Sequence, residues 1–269
     1  MKAELYNPFK GKMTFEISSP KCSLPAHRSI LGQAGEKSHH LFGRVTDFRG
    51  RAIQGYVIVN PSEGKIGTKC RKDGSYHLYL PGGRHESIAA FALDYGRKTL
   101  ESWAWNIFLD RKQLLNFRIG RLEIYRMHAW RAERTLNISF RPMSLTKILQ
   151  AVKEGKNELE ACAKKYSPQL RKEDVKIFIN YQECRPKLLI SYPEYIATLR
   201  KKTITIPAYL AQVELNDRSS TGPRTPKSLG LLRNISPVKS KTEVKLFIRH
   251  KIFQNNKIIL EEGEGITWI

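Results

Sequence analysis

The sequence predicts a mainly β protein, a β-sandwich followed by a second β-rich domain that carries one α-helix. Three observations predict it. Between residues 41 and 83, turn signals recur about every ten residues, the rhythm of a sandwich. The segments between those turns alternate, or are apolar on both faces, as strands do. Only one stretch of the chain keeps a clear helical spacing of apolar residues.

Residues 1–39 read as an N-terminal extension. Met13, Phe15 and Ile17 alternate with Thr14 and Glu16, which gives one short strand there. The segment SSPKCSLPAHRSILGQAGEKSHH that follows is rich in Pro, Gly and Ser and reads as loop. From Leu41 the pattern changes. Gly50 closes a turn after Val45 and Asp47, and Tyr56–Val59 is apolar on both faces, which suits a strand lying between two packed layers. Asp73-Gly74 then supplies a turn in which glycine adopts a positive φ. Beyond it Tyr76, Leu78 and Leu80 point one way and Ser75, His77 and Tyr79 the other, until Pro81-Gly82-Gly83 ends the strand.

The order GRVTD, RG with IQG, YVIV, Thr68 with KDGSYHLYLPGG, and later LDYGRK resembles the carboxypeptidase regulatory-like domain of the transthyretin-like superfamily. The match covers roughly residues 40–100, with the final strands running to Tyr125. The resemblance implies a transthyretin-like Greek-key β-sandwich over residues 40–127, organised by those glycines and the Asp-Gly turn. Such modules often accompany a zinc carboxypeptidase and do no catalysis themselves. The family closes with a shorter return than this chain has after Asp94-Tyr95-Gly96.

The second domain spans residues 135–269. LNISFRP makes a short strand, Ser144 is an N-cap, and Leu145, Ile148, Leu149 and Val152 place a helix that the pattern carries to about residue 166, before Ser167-Pro168. DVKIFINY, KLLIS, TITIP and YLAQVEL read as strands. Residues 218–242 hold basic and no acidic residues among Ser, Thr, Pro and Gly, a charged loop. The end of the chain reads as a hairpin turning at Asn255-Asn256.

The sequence carries no recognisable catalytic signature. No HxxE, HExxH, Walker, GxGxxG or GxSxG pattern is present, so the expectation is no catalytic residues, no metal and no cofactor. Cys22, Cys70, Cys162 and Cys184 are spaced too irregularly for a zinc site and read as buried thiols. No apolar run approaches membrane-spanning length, and the N-terminus lacks the apolar core of a signal peptide, so the expectation is a cytoplasmic protein.

What remains is binding. The first expectation is a non-catalytic structural or adaptor protein acting through protein contacts, with a protein partner or a homo-oligomer. The alternative starts from a net charge of +22, 47 Lys and Arg against 25 Asp and Glu, which favours nucleic acid or another polyanion. Its candidate residues are Arg218, Arg224, Lys227, Arg233, Lys239 and Lys241 of the loop, and Lys245, Phe247, Arg249 and Lys251 of the hairpin, where cations interleave with aromatics. A second alternative is neutral carbohydrate on a platform of Trp103, Trp105 and Tyr95, since residues two apart on a strand share a face. The competing reading makes Trp103, Trp105 and Ile107 the inward face of a core strand.

Overall fold

A computed structural model describes residues 2–7, 11–16, 37–60, 66–154, 165–199, 202–215 and 241–269. Its elements are β1 (Lys2–Asn7), β2 (Gly11–Glu16), β3 (Ser38–Thr46), β4 (Gly55–Val59), β5 (Ile66–Lys69), β6 (Ser75–Pro81), β7 (Gly83–Ala92), β8 (Ser102–Leu109), β9 (Gln113–Leu114) and β10 (Phe117–Arg118). They continue with β11 (Leu122–Ala132), β12 (Thr135–Ser144), α1 (Leu145–Lys153), β13 (Val175–Ile179), β14 (Gln182–Cys184), β15 (Leu188–Leu199), β16 (Lys202–Glu214), β17 (Glu243–Gln254) and β18 (Lys257–Trp268). The protein is mainly β, with three stacked sheets and a separate β1–β2 ribbon.

The central sheet runs β14-β13-β17-β18-β8-β7-β4-β5. On one side lies a small sheet of β10-β3-β6 with β9 also pairing β3, and Leu41, Val45, Tyr76 and Leu78 share a buried cluster with Val57, Ile88, Ala104 and Ile266. On the other side lie the outer sheet β11-β12-β16-β15 and the helix, where Ile124, Ile138, Phe140, Leu145 and Tyr209 share a second cluster with Phe91, Trp103, Val244 and Leu246. Being covered on both faces, β4 has no polar face to show, as its sequence GYVIV requires.

Two features of this stack depart from the sequence-based expectation. The extension contains two paired strands, β1 and β2, where one was expected, and the pairing Lys2↔Glu16 to Asn7↔Gly11 is antiparallel. The expected boundary between residues 127 and 135 is crossed by hydrogen bonds. Gly265–Thr267 of β18 pair in parallel with Trp103–Trp105 of β8, so the C-terminal strands extend the sheet that β4, β7 and β8 begin.

Local chemistry explains the joints. At Gly43, a Cβ would fall 1.9 Å from the Leu115 carbonyl oxygen, so only glycine lets β3 lie this close to the segment between β9 and β10. Gly74 has φ +79, the left-handed turn that its Asp-Gly sequence signals. Three prolines set where the outer sheet divides. Pairing of β12 with β16 ends at Phe140↔Tyr209, two residues before that register would oppose Pro142 to Pro207, neither of which has an N–H to give. Pro207 faces Pro193 on β15, and beyond this point β15 and β16 continue as a ribbon, with Ile204 and Ile206 buried against Met143.

The helix begins where Ser144 predicts, its side chain accepting from the Lys147 backbone N–H at 3.2 Å. A second cap comes from β18, where Glu261, fully buried, accepts the Thr146 N–H at 2.9 Å and lies 3.7 Å from Arg121. A carboxylate at the positive end of the helix is favourable. The helix turns Leu145, Ile148 and Ala151 inward and ends at Lys153, and its expected continuation over 155–164 lies outside the described residues. Cys70 is buried, with its thiol pushed up to about 12 by burial, and Cys184 is half-buried; both are free, and Cys22 and Cys162 lie outside the described residues.

Candidate anion-binding cleft

The C-terminal hairpin is only half covered. Strand β17 pairs with β13 from Val244 to Ile248, and beyond Ile248 it runs on with β18 alone to a turn at Asn255 and Asn256, with φ of 50° and 58°. Asparagine tolerates that region, so the turn forms where the sequence places it. Within the covered half, Val244, Leu246 and Ile248 are fully buried. In the free half Arg249, Lys251 and Phe253 are exposed, Phe253 by 73%.

A cleft of about 880 Å³ opens beside this free half. Its walls are Arg249 to Phe253 on one side, and on the other Lys147 of α1, the segment Gln169–Arg171 and the start of β13 with Lys176. Five cationic side chains, Lys147, Arg171, Lys176, Arg249 and Lys251, face two carboxylates, Glu173 and Asp174. Some of these cations have partners. Arg249 pairs with Glu262 at 2.6 Å, Lys176 with Glu183 at 3.2 Å and Arg171 with Glu173 at 3.8 Å. His250 Nδ1 lies 3.2 Å from Asp174. The Lys176 and Arg171 pairs are exposed and worth little individually, so a ligand anion can displace them at small cost. Lys251 has no ion-pair partner among the described residues. Burial lowers the Lys147 pKa, a shift that Glu261 opposes, and its ammonium donates to the Ser167 carbonyl at 3.0 Å.

The sequence-predicted binding residues divide sharply. Arg249 and Lys251 stand in the cleft. Lys241 and Lys245 do not: Lys241 pairs with Asp110 at 2.7 Å, and Lys245 pairs with Glu243 at 3.4 Å and lies over Tyr181. Phe247 also lines the cleft but offers no open face for stacking. It is 9% exposed beside Phe48, with the Arg118 guanidinium over both rings and ion-paired to the buried Glu264. Arg218, Arg224, Lys227, Arg233 and Lys239 lie outside the described residues.

The open tryptophan platform is likewise corrected. Trp103 and Trp105 are 7% and 9% exposed, because β8 lies inside the central sheet with a layer on each face. Their rings stack at 4.9 Å and Tyr125 meets both edge-on, while Trp103 Nε1 donates to the buried Glu123 at 2.9 Å. Tyr95, also buried, packs edge-on against Phe91. Ile107 does not share their face. At Asn106, φ 54, the alternation shifts by one, so Ile107 and Leu109 join the cluster on the opposite side of the sheet.

The sequence did not single out Lys147, Arg171 or Lys176. Each is a lysine or arginine of ordinary surroundings; the pairing of β13 with β17 brings Arg171 and Lys176 to the hairpin, and the Glu261 cap joins α1, with Lys147, to β18. Among the described residues no three His, Cys, Asp or Glu side chains converge as metal ligands, and no helix is long and apolar enough to cross a membrane.

No family profile matches the chain, and no curated protein matches it. Solved structures give remote likenesses. One is a protein proposed to bind carbohydrate from Bacteroides uniformis, at 6% identity and TM-score 0.26, covering 86% of this chain and 98% of that one. Others are DUF3823 family proteins from Bacteroides ovatus, at 9% identity, TM-score 0.23, and 86% and 98% coverage, and from Parabacteroides merdae, at 10% identity, TM-score 0.23, and 87% and 99% coverage. At these TM-scores the likeness carries no argument about this chain.

Proposed function

We propose that the protein is a non-catalytic binding protein whose ligand is an extended polyanion, seated along the cleft beside the free half of the C-terminal hairpin. The observation that carries this reading is the gathering of five cationic side chains from α1, β13, β17 and the segment before β13 around one groove, with exposed Phe253 at its end. Charges of one sign lining a cleft raise the local concentration of counter-charged ligand, and a ring at the end of the groove offers a base something to stack on. The net charge of +22 adds long-range attraction.

The test is binding of a labelled single-stranded oligonucleotide and of heparin, each titrated across a salt series. Affinity should fall steeply with salt, with a slope that reports the number of contacted anionic groups. Binding that ignores salt, or is absent at low salt, refutes the reading.

A second reading, the structural or adaptor protein, has its own observation. Phe253 and Ile258 face each other near the hairpin turn, exposed by 73% and 67%, with Leu260 exposed by 45% nearby. Such a patch at the end of a ribbon suits a protein partner. Residues 40–125, read as a carboxypeptidase regulatory-like module, would then be the scaffold that presents it. A discrete complex in light scattering that is lost on Ile258→Lys supports it, and a strictly monomeric protein with no retained partner counts against it.

A further inference from the structure

A second cleft, of about 490 Å³, opens where β7, β8 and β11 meet, lined by Arg84, Glu86, Trp105, Asn106, Arg126 and His128 together with Met127. We propose that this cleft binds a small ligand through its carboxylate, held between Arg84 and Arg126. The site is independent of the hairpin cleft and shares no residue with it.

Three independent features converge there. The first is backbone strain. Asn106 has φ 54 and Arg126 φ 49, and for an arginine the left-handed region is uncommon. Arg126 sits in the bulge where the β11–β12 register shifts between Tyr125 and His128. Bulges re-aim side chains, and strained residues persist where the surrounding structure holds them. Here both left-handed residues, of which only the arginine is unusual, line the same small space.

The second feature is a stranded donor. The Trp105 indole Nε1 is buried with no acceptor among the described residues, although the ring lines the cleft. Leaving such a group unmet is unfavourable, because its hydration is lost and nothing replaces it. An oxygen entering beside it, with a small displacement of the bulge, would meet that need.

The third feature is charge. Arg84 and Arg126 have no carboxylate partner among the described residues, and Arg84 is steadied by donating from Nη2 to Asn106 Oδ1 at 2.6 Å. Guanidinium groups match carboxylates in planar, paired hydrogen bonds. Glu86 in the same cleft disfavours a highly charged phosphate and leaves an acceptor for hydroxyl or ammonium hydrogens on the rest of the ligand. His128 is stacked on Trp130, which is 39% exposed.

The shared chemistry is therefore one carboxylate on a small polar body, supplied by a uronate sugar or by an amino-acid zwitterion. The experiment is a titration of the whole protein, followed by the indole N–H resonances in nitrogen–proton spectra. Glucuronate, glucose, glycine and ethanolamine are added separately at about 150 mM salt, where exposed charges are largely screened beyond a Debye length. The Trp105 signal is assigned by its loss in Trp105→Phe. The expected result is a saturable shift of the Trp105 indole signal with glucuronate or glycine, and none with glucose or ethanolamine, which lack the carboxylate. A response to glucuronate identifies the sugar acid, and a response to glycine the zwitterion. Arg84→Gln and Arg126→Gln should each weaken the response about tenfold, the loss of one charge-assisted hydrogen bond. Lys251→Glu should leave it unchanged, which separates this site from polyanion binding. No saturable shift with either carboxylate, equal shifts with glucose or ethanolamine, or a response indifferent to both arginine variants would overturn the proposal.

Discussion

Strands β8 and β17 each carry aromatic residues an even number of positions apart, Trp103 and Trp105 in one and Phe247 and Phe253 in the other, and put them to different uses. In β8 the pair Trp103 and Trp105 is enclosed between layers, because both edges of the strand are paired, to β7 and β18, and both faces are covered. In β17 the aromatic at the far end, Phe253, stands in solvent, because the pairing with β13 stops at Ile248. Residue type does not separate the two cases. What separates them is how far the neighbouring strand extends, a property of the pairing and not of the strand itself.

That comparison is broken most readily in the core. Trp103→Ala and Trp105→Ala should each destabilise the protein by about 3–5 kcal/mol, the cost of a large cavity, while Phe253→Ala should stay within about 0.5 kcal/mol. Denaturant unfolding measures all three. A tolerated Trp103→Ala would mean that the layers over β8 are not closed.

Glu261 marks the place where the free ribbon gives way to the packed sheet. Fully buried, it caps α1 and faces Arg121, so Glu261→Gln should cost about 1–3 kcal/mol through a weakened cap and a less compensated arginine. The same unfolding experiment reads it, and helix content by circular dichroism should fall with it.

How far this was legible in the sequence follows from the same contrast. Residues 41–83 were readable because each strand there is bounded by its own turn chemistry, and Gly50, Gly74 and Gly83 all have positive φ. The helix start and the Asn255-Asn256 turn were readable for the same local reason. Less was visible where pairing is non-local. Nothing near Trp103 announces the parallel partner Gly265, 162 residues away, and the left-handed Asn106 that parts Ile107 from the tryptophans has no signal in the alternation around it. The hairpin half of the cleft was legible as cations interleaved with rings. Its other wall was not, since Arg171 acquires meaning only once β13 has docked on β17, and Lys147 only once α1 is capped by Glu261 of β18.

Smaller effects are expected on the exposed hairpin and its cleft. Arg171→Glu and Lys251→Glu should each lower oligonucleotide affinity about tenfold and flatten its salt dependence, with unfolding free energy unchanged within about 0.5 kcal/mol. Filter binding across a salt series checks the first, and denaturation the second. The smallest effect is a pH dependence. Because burial holds the Lys147 pKa below the ordinary 10.5, this cation begins to lose its proton below that value as pH rises. Affinity should therefore begin to fall below pH 10.5 by less than about tenfold, and Lys147→Arg, which stays charged, should remove that early fall.

The most direct measurement is a lysine acylation footprint of the whole protein with and without a saturating single-stranded oligonucleotide, read residue by residue in a mass spectrometer. Lys176 and Lys251 should be protected by the ligand, while Lys98 and Lys187, which lie outside the cleft, keep their reactivity. Protection spread evenly over all lysines, or absent at Lys251 while the oligonucleotide is bound, would contradict the account.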